Sequence, residues 1–267
     1  LVKASAAVLR SDKELLLFPV ISSIATLLVA LTFMVPVVAL RLFEGGEIGV
    51  LGGIVGFAFY LCTYFVIFFF NTALVGAAMI RLEGGDPTVA DGLRIARSKA
   101  GVILGYAAIA ATVGLLLKAA SEKSGIFGRI VVGLVGMAWT LASFLVVPIL
   151  VTRDVGPIDA IKESIELLKR TWGENVAGNV GIGMAFGLVT MLVVVLAIGL
   201  VIAAAAVGGV KLAIVVGIVG ALAVALVAVI QAALSGIYSA AVYRYAVDGI
   251  APAGFGGPQL QAAFQPK

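Results

Sequence analysis

The chain has 267 residues, of which 62% are hydrophobic and 12% charged, against roughly 45–50% and about 25% in ordinary globular domains; that balance excludes a soluble domain. It contains no histidine and a single cysteine, Cys62, which excludes His-based triads, His metal sites and an intrachain disulfide. The net charge of +4 comes without a dense basic cluster, so nucleic acid is not an expected partner, and the excess fits the inward loops of a membrane protein.

The chain opens at Leu1, and its first apolar run lacks a small-residue cleavage site, which predicts a retained anchor rather than a signal peptide. Residues 1–10 read as a short amphipathic helix on the membrane surface. Ser11-Asp12-Lys13-Glu14 has the form of a capping box ahead of a first span over 15–40, where Pro36 is deep enough to kink the helix. Arg41, Glu44, Gly45, Gly46 and Glu47 form an outer turn. The second span, 48–82, would measure roughly 50 Å as one helix against a hydrocarbon core of about 30 Å. It must tilt, break or project inward, and Asn71-Thr72 is the expected irregularity.

An acidic turn through Glu83, Gly84, Gly85, Asp86 and Pro87 leads to a short amphipathic segment, with Thr88 and Asp91 spaced as a capping box. A third span is expected over 100–117, a loop at Lys118, Glu122, Lys123 and Ser124, and a fourth span over 126–151 with Pro148 near its inner end. Over 158–170 the period is strongly helical: Ile158, Ile161, Ile165 and Leu168 share one face, and Lys162, Glu163, Glu166, Lys169 and Arg170 the rest. Thr171-Trp172-Gly173-Glu174 is a third capping pattern. A fifth span over 175–207, a short turn at Gly208, Gly209 and Lys211, and a sixth span over 212–247 complete the bundle. The expected fold is all-α: one transmembrane domain over 1–248 with six spans and cytoplasmic amphipathic helices, then a flexible tail over 249–267. All but five of the 18 Lys and Arg residues fall on the side of the N-terminus, which puts both termini in the cytoplasm of a multi-pass cell-membrane protein.

The joints between spans look repeated. Arg10-Ser11, Arg97-Ser98 and Arg170-Thr171 each stand just before a span. Asp91-Gly92-Leu93-Arg94 matches Asp159-Ala160-Ile161-Lys162 as acid, small, aliphatic, basic. These matches define three two-helix units, about 1–82, 83–151 and 152–248, all facing the same side. The competing explanation is that any inward helix start favours basic residues and a hydroxyl cap.

Three motifs carry a family resemblance: Asp12-Lys13-Glu14-Leu15-Leu16-Leu17-Phe18-Pro19, Phe70-Asn71-Thr72-Ala73-Leu74 and Gly156-Pro157-Ile158-Asp159-Ala160-Ile161. The chain resembles an uncharacterised family of prokaryotic six-helix membrane proteins, and its layout is more distantly similar to the membrane domain fused to some glycerophosphodiester phosphodiesterases. The resemblance implies topology and no activity.

No acidic residue falls well inside a span, which argues against a midplane proton or cation relay. Uncharged polar residues do: Thr63, Asn71, Thr72, Thr140, Ser143, Gln231, Ser235 and Ser239. Helix-to-helix hydrogen bonds of about 1 kcal/mol account for them on one reading; on the other they line a polar route or a lipid-headgroup site, with Asn71, Thr72, Gln231 and Ser235 its candidate members. Glycines four apart at Gly52/Gly56, Gly101/Gly105 and Gly183/Gly187 predict close helix approach. Tyr60, Tyr64 and Phe68 form an aromatic stripe, and Tyr238, Tyr243 and Tyr245 with Arg244 an inner interfacial anchor. No catalytic, cofactor or metal site is expected. The functional expectation is a non-enzymatic scaffold or partner subunit of a membrane complex, in contact with lipids and a protein partner or a second copy. The alternative is a transporter, channel or lipid-handling protein using the polar residues of the second and sixth spans.

Overall fold

The structure is a computed structural model; it describes residues 2–39, 50–170 and 172–249, without the side chains of 2, 3, 36, 39, 170 and 172–185. Among the described residues all regular structure is helical. Helix α1 (Val2–Ser11) leads through a 3-10 turn (Lys13–Leu16) into α2 (Leu17–Ala39); α3 (Val50–Leu82) is followed by short α4 (Val89–Ser98) and then α5 (Ala100–Lys123). Next come α6 (Ile126–Ala142), α7 (Val146–Thr152), α8 (Pro157–Arg170) and α9 (Trp172–Asp248). Five stretches are long and apolar enough to cross a membrane: Lys13–Val35, Val50–Leu82, Ala100–Lys123, Ile126–Thr152 and Phe186–Asp248. The expected turn at 41–47, the joint at Thr171 and the tail from 250 lie outside the described residues.

Helix α9 is not one straight rod. Gly209 has φ 68° and ψ −169°, a region only glycine occupies without strain. A Cβ built on Gly220 would stand 2.8 Å from Ala197 Cβ, and one on Gly217 3.8 Å from Val201 Cγ2. Pairs that close in on residue 209 from both sides mean that the chain folds back there into two antiparallel arms.

Three local expectations change. Helix α3 runs through Asn71 and Thr72 without interruption, because Thr72 donates its hydroxyl to Phe68 O, 2.7 Å away in its own helix, and disturbs nothing. The helix continues unbroken to buried Leu82. The fourth apolar stretch is the one that breaks, at 143–145 between α6 and α7. Pro148 offers no N–H to the carbonyl of Phe144, one turn back, and its ring crowds it; the Leu145 N–H instead donates to Ser164 Oγ of α8 at 3.2 Å. Ser11 caps no following helix: it ends α1 and donates to Val8 O at 2.7 Å, and Asp12 at the start of the 3-10 turn makes no capping bond.

Burial divides the molecule lengthwise. Residues 72–79 of α3, 145–150 around α7, and 233–243 of α9 are nearly all buried, together with Leu15, Phe18, Ala96 and Ala160. They form a packed base at the end where α1, α4 and α8 lie. Away from it the helices show their apolar side chains, as at Ile24, Leu28 and Leu31 of α2, Ile54 of α3 and Phe127 and Leu134 of α6. None of the most apolar window of α3 is buried. The closest approaches in the base are at glycines outside the expected pairs. A Cβ on Gly92 would lie 2.5 Å from Phe18 Cζ and 2.6 Å from Ala73 O, and one on Gly76 2.9 Å from Ile95 Cδ1. At Gly56, Gly101 and Gly187 nothing lies within 4 Å, and at Gly105 the neighbour is Pro157.

Candidate functional site

Between the base and the open helices lies a cavity of about 370 Å³, inside the range of roughly 300–1,000 Å³ common for small-ligand sites. Helix α2 contributes Pro19 and Ser22; α3 contributes Ile67, Phe70, Asn71 and Leu74; Thr140 and Phe144 come from the break in the fourth stretch, and Ala232, Ser235, Gly236 and Ser239 from the second arm of α9. Of the four sequence candidates, Asn71 and Ser235 meet in its wall. Thr72 is buried on the opposite side of its helix turn and bonded to Phe68 O, and Gln231 does not line the cavity.

A helix-to-helix hydrogen bond is one of the two readings of Asn71. Among the described residues its amide has no protein hydrogen bond. Its Oδ1 lies instead against Gly236, 3.4 Å from where a Cβ would stand. Thr140 donates to Gly136 O and Ser239 to Gly236 O, each at 2.9 Å, so both hydroxyl oxygens keep lone pairs free to accept. The floor is closed by buried Leu74, Gly236 and Ser239, whereas Ile67 and Ala232 are exposed and mark the mouth.

The level of the cavity follows from contacts between α3 and α5. The Phe68 and Tyr106 rings are 4.4 Å apart, and Gly114 approaches the Tyr64 hydroxyl, so the two helices run antiparallel. Stepping from the Phe68–Tyr106 pair puts Lys99, at the start of α5, level with Val75. Asn71 is four residues short of Val75, about 6 Å from the Lys99 level. Helix α3 continues past that level to Leu82 within the base.

The joints form a polar rim on the base. Asp12 accepts two hydrogen bonds from Arg81, which also reaches Asp86 at 2.9 Å. A polar hollow of about 350 Å³ surrounds them and includes Arg10 and Ser11. Thr88 and Asp91 make the expected reciprocal cap, and the hydroxyl of Thr88 first, then its N–H and Arg94, hold the Asp91 carboxyl below its ordinary 3.8. Lys99 bonds Asp154 at 2.5 Å and lowers its carboxyl likewise. Arg153 donates to Tyr243 and pairs with Glu163 at 3.1 Å, and both raise its guanidinium. Tyr243 also accepts from Thr152 at 2.7 Å.

The other joint candidates divide. Ser98 ends α4 as Ser11 ends α1, donating three residues back to Ile95 O at 2.8 Å, while Arg97 is exposed. Asp91 pairs with Arg94 at 3.1 Å and Asp159 with Lys162 at 3.2 Å, with Gly92 and Ala160 buried between them. The Arg170 side chain and Thr171 are not described. In α8 the buried line is Ala160, Ser164, Leu167 and Leu168, flanked by half-buried Ile161 and Ile165, and Ile158 is 59% exposed. The expected interfacial tyrosines Tyr238 and Tyr243 are core residues, and the stripe of Tyr64 and Phe68 packs α3 on Tyr106 of α5. The Asp12–Arg81 pair was missed by sequence reasoning because its partners are 69 positions apart.

An all-α chain whose most apolar helix windows face outward has the make-up of an integral membrane protein. Residues 50–255 match the model of a family of unknown function, DUF6159, and the chain belongs to that family. No curated protein matches the chain, and no solved structure does, so the similarity to the glycerophosphodiester phosphodiesterase membrane domain gains no support from them.

Proposed function

We propose that the protein is a six-span, non-enzymatic membrane protein that binds lipid at the inner face of the bilayer. The observation that carries this is the cavity at Asn71: an amide without a hydrogen-bond partner among the described residues, one turn from a charged boundary, in a chamber whose mouth opens between exposed apolar side chains. Taking the two arms of α9 as separate crossings gives six spans and returns both termini to the side of the base. Lys99 and Lys118 are separated by 18 residues of α5, about 27 Å of helix and close to the hydrocarbon thickness. On this reading Asn71 lies just inside the inner headgroup layer, with the base at and beyond it. An amide left unpaired in hydrocarbon costs several kcal/mol, so a lipid polar group or water must meet it there.

The matching ends of α1 and α4 and the matching ion pairs of α4 and α8 favour the two-helix repeat as the origin of the rim. The scaffold reading draws on one observation, exposed Ile158 on the otherwise charged outer side of α8, and would show as a stable partner in detergent extracts. The lipid reading is tested by native mass spectrometry of protein extracted with its lipids. Retention of bound lipid that Asn71→Leu removes supports it; a delipidated protein, equally stable and with no bound mass, sinks it.

A further inference from the structure

We infer that the cavity selects an uncharged glyceride with a free hydroxyl, of the diacylglycerol class, in preference to a phospholipid; this rests on the lipid-binding reading above. The first argument is charge. No lysine, arginine, aspartate or glutamate lines the chamber, and a phosphate moved away from water without a cation beside it is strongly disfavoured. Three cations of the joints are held by carboxylates: Arg81 by Asp12 and Asp86, Lys99 by Asp154, Arg153 by Glu163.

The second argument is the balance of donors and acceptors. Of the four hydroxyls that line the chamber, those of Thr140 and Ser239 spend their hydrogens on helix carbonyls, so these two meet a ligand as acceptors and call for a hydroxyl, while Ser22 and Ser235 can donate or accept. Asn71 brings N–H donors, which suit an ester carbonyl. A glyceride that keeps one hydroxyl carries both groups within a few bonds of each other. The third argument is the shape of the wall: Ile67, Phe70 and Phe144 continue from the polar groups toward the exposed mouth, where acyl chains can lie without leaving hydrocarbon. The closed floor stops the headgroup from reaching the inner aqueous side through the base.

The test uses the full chain in phosphatidylcholine nanodiscs carrying a photoreactive diacylglycerol or, separately, a photoreactive phosphatidic acid of the same acyl length. Expected is labelling by the diacylglycerol within residues 67–74 or 232–239, competed by unlabelled diacylglycerol and at least about tenfold more weakly by phosphatidic acid. Asn71→Leu should reduce that labelling about tenfold, the scale of one lost hydrogen bond with its desolvation penalty. Ala232→Phe should block it by filling the mouth, and since Ala232 is exposed this variant keeps the packed base intact if Asn71→Leu fails to fold. Equal or stronger labelling by phosphatidic acid overturns the selectivity and leaves the lipid-binding reading standing; labelling untouched by both variants overturns both. Labelling of the exposed helices alone by both probes, with none at the cavity peptides, overturns both.

Discussion

The contact on which the base most depends is Gly92 of α4 against Phe18 and Ala73. A methyl group there would meet Phe18 Cζ at 2.5 Å and the Ala73 carbonyl oxygen at 2.6 Å. Neither can yield easily. Phe18 is 1% exposed, and the second neighbour is backbone inside the continuous α3 helix. Gly92→Ala gains about 1 kcal/mol of helix propensity and is set against an overpacking cost of about 1–3 kcal/mol, or more where backbone must shift. Since both contacts are closer than real Cβ atoms show, the cost lies at the upper end, and the net loss should be about 2 kcal/mol. The comparison is Gly101→Ala in α5, with nothing within 4 Å, which should be neutral or slightly stabilising through the same propensity term. Thermal unfolding of the two variants in one detergent, followed by the loss of monodisperse protein, reads the difference as a lower midpoint for Gly92→Ala alone. Equal midpoints would refute the packing of α4 onto α3.

Three further outcomes are expected. Ser164→Ala should cost about 1–2 kcal/mol by leaving the buried Leu145 N–H without an acceptor, while Ser98→Ala on the exposed end of α4 stays within about 0.5 kcal/mol; thermal midpoints that do not separate them would mean the break at 143–145 is not held from α8. Asp91 and Asp154 are held below their ordinary 3.8, so their contribution is complete above that pH and is lost as the pH falls through their lowered values. Acid titration of the melting point should therefore steepen below about pH 4, and less so in Asp154→Asn. Cysteines introduced at Glu122 and Glu163, in a Cys62→Ala background, should label from opposite sides of the membrane; labelling of both from one side would rule out the proposed topology.

Much of this architecture was legible from the chain. The apolar runs, the capping box at Thr88 and Asp91, the length of α3 and the choice of Asn71 and Ser235, which the structure brings to one cavity wall, all follow from hydropathy, spacing and the cost of a polar group away from water. What was not legible depends on tertiary partners. The break between α6 and α7 needs a neighbour, Ser164, to accept the exposed N–H of Leu145, and a proline alone does not say whether it will bend or part a helix. Ser11 has the residue type of a start cap and the position of a helix end. Its role was settled by where α1 stops, and spacing alone does not give that. The tight glycines, Gly76 and Gly92, lie five residues or more from any other glycine of their helices, so the four-residue pattern could not find them.

The division between base and open helices also explains why apolar periodicity is a poor guide here. In water a helix marks its buried side with apolar residues and its exposed side with polar ones. In hydrocarbon both sides are apolar, since exposure costs nothing there, and size and polarity have to carry the distinction instead. The buried run of α3 accordingly reads Thr72-Ala73-Leu74-Val75-Gly76-Ala77-Ala78-Met79, mostly small and tightly packed, whereas the run before it holds exposed Phe57 and half-buried Phe59, Tyr60, Phe65, Phe68, Phe69 and Phe70. Asn71 stands where large residues give way to small ones. A cavity at that point follows from the change itself: the bulky helix surfaces keep their neighbours apart, the small ones draw them together, and the space left at the transition is the chamber in which the amide sits.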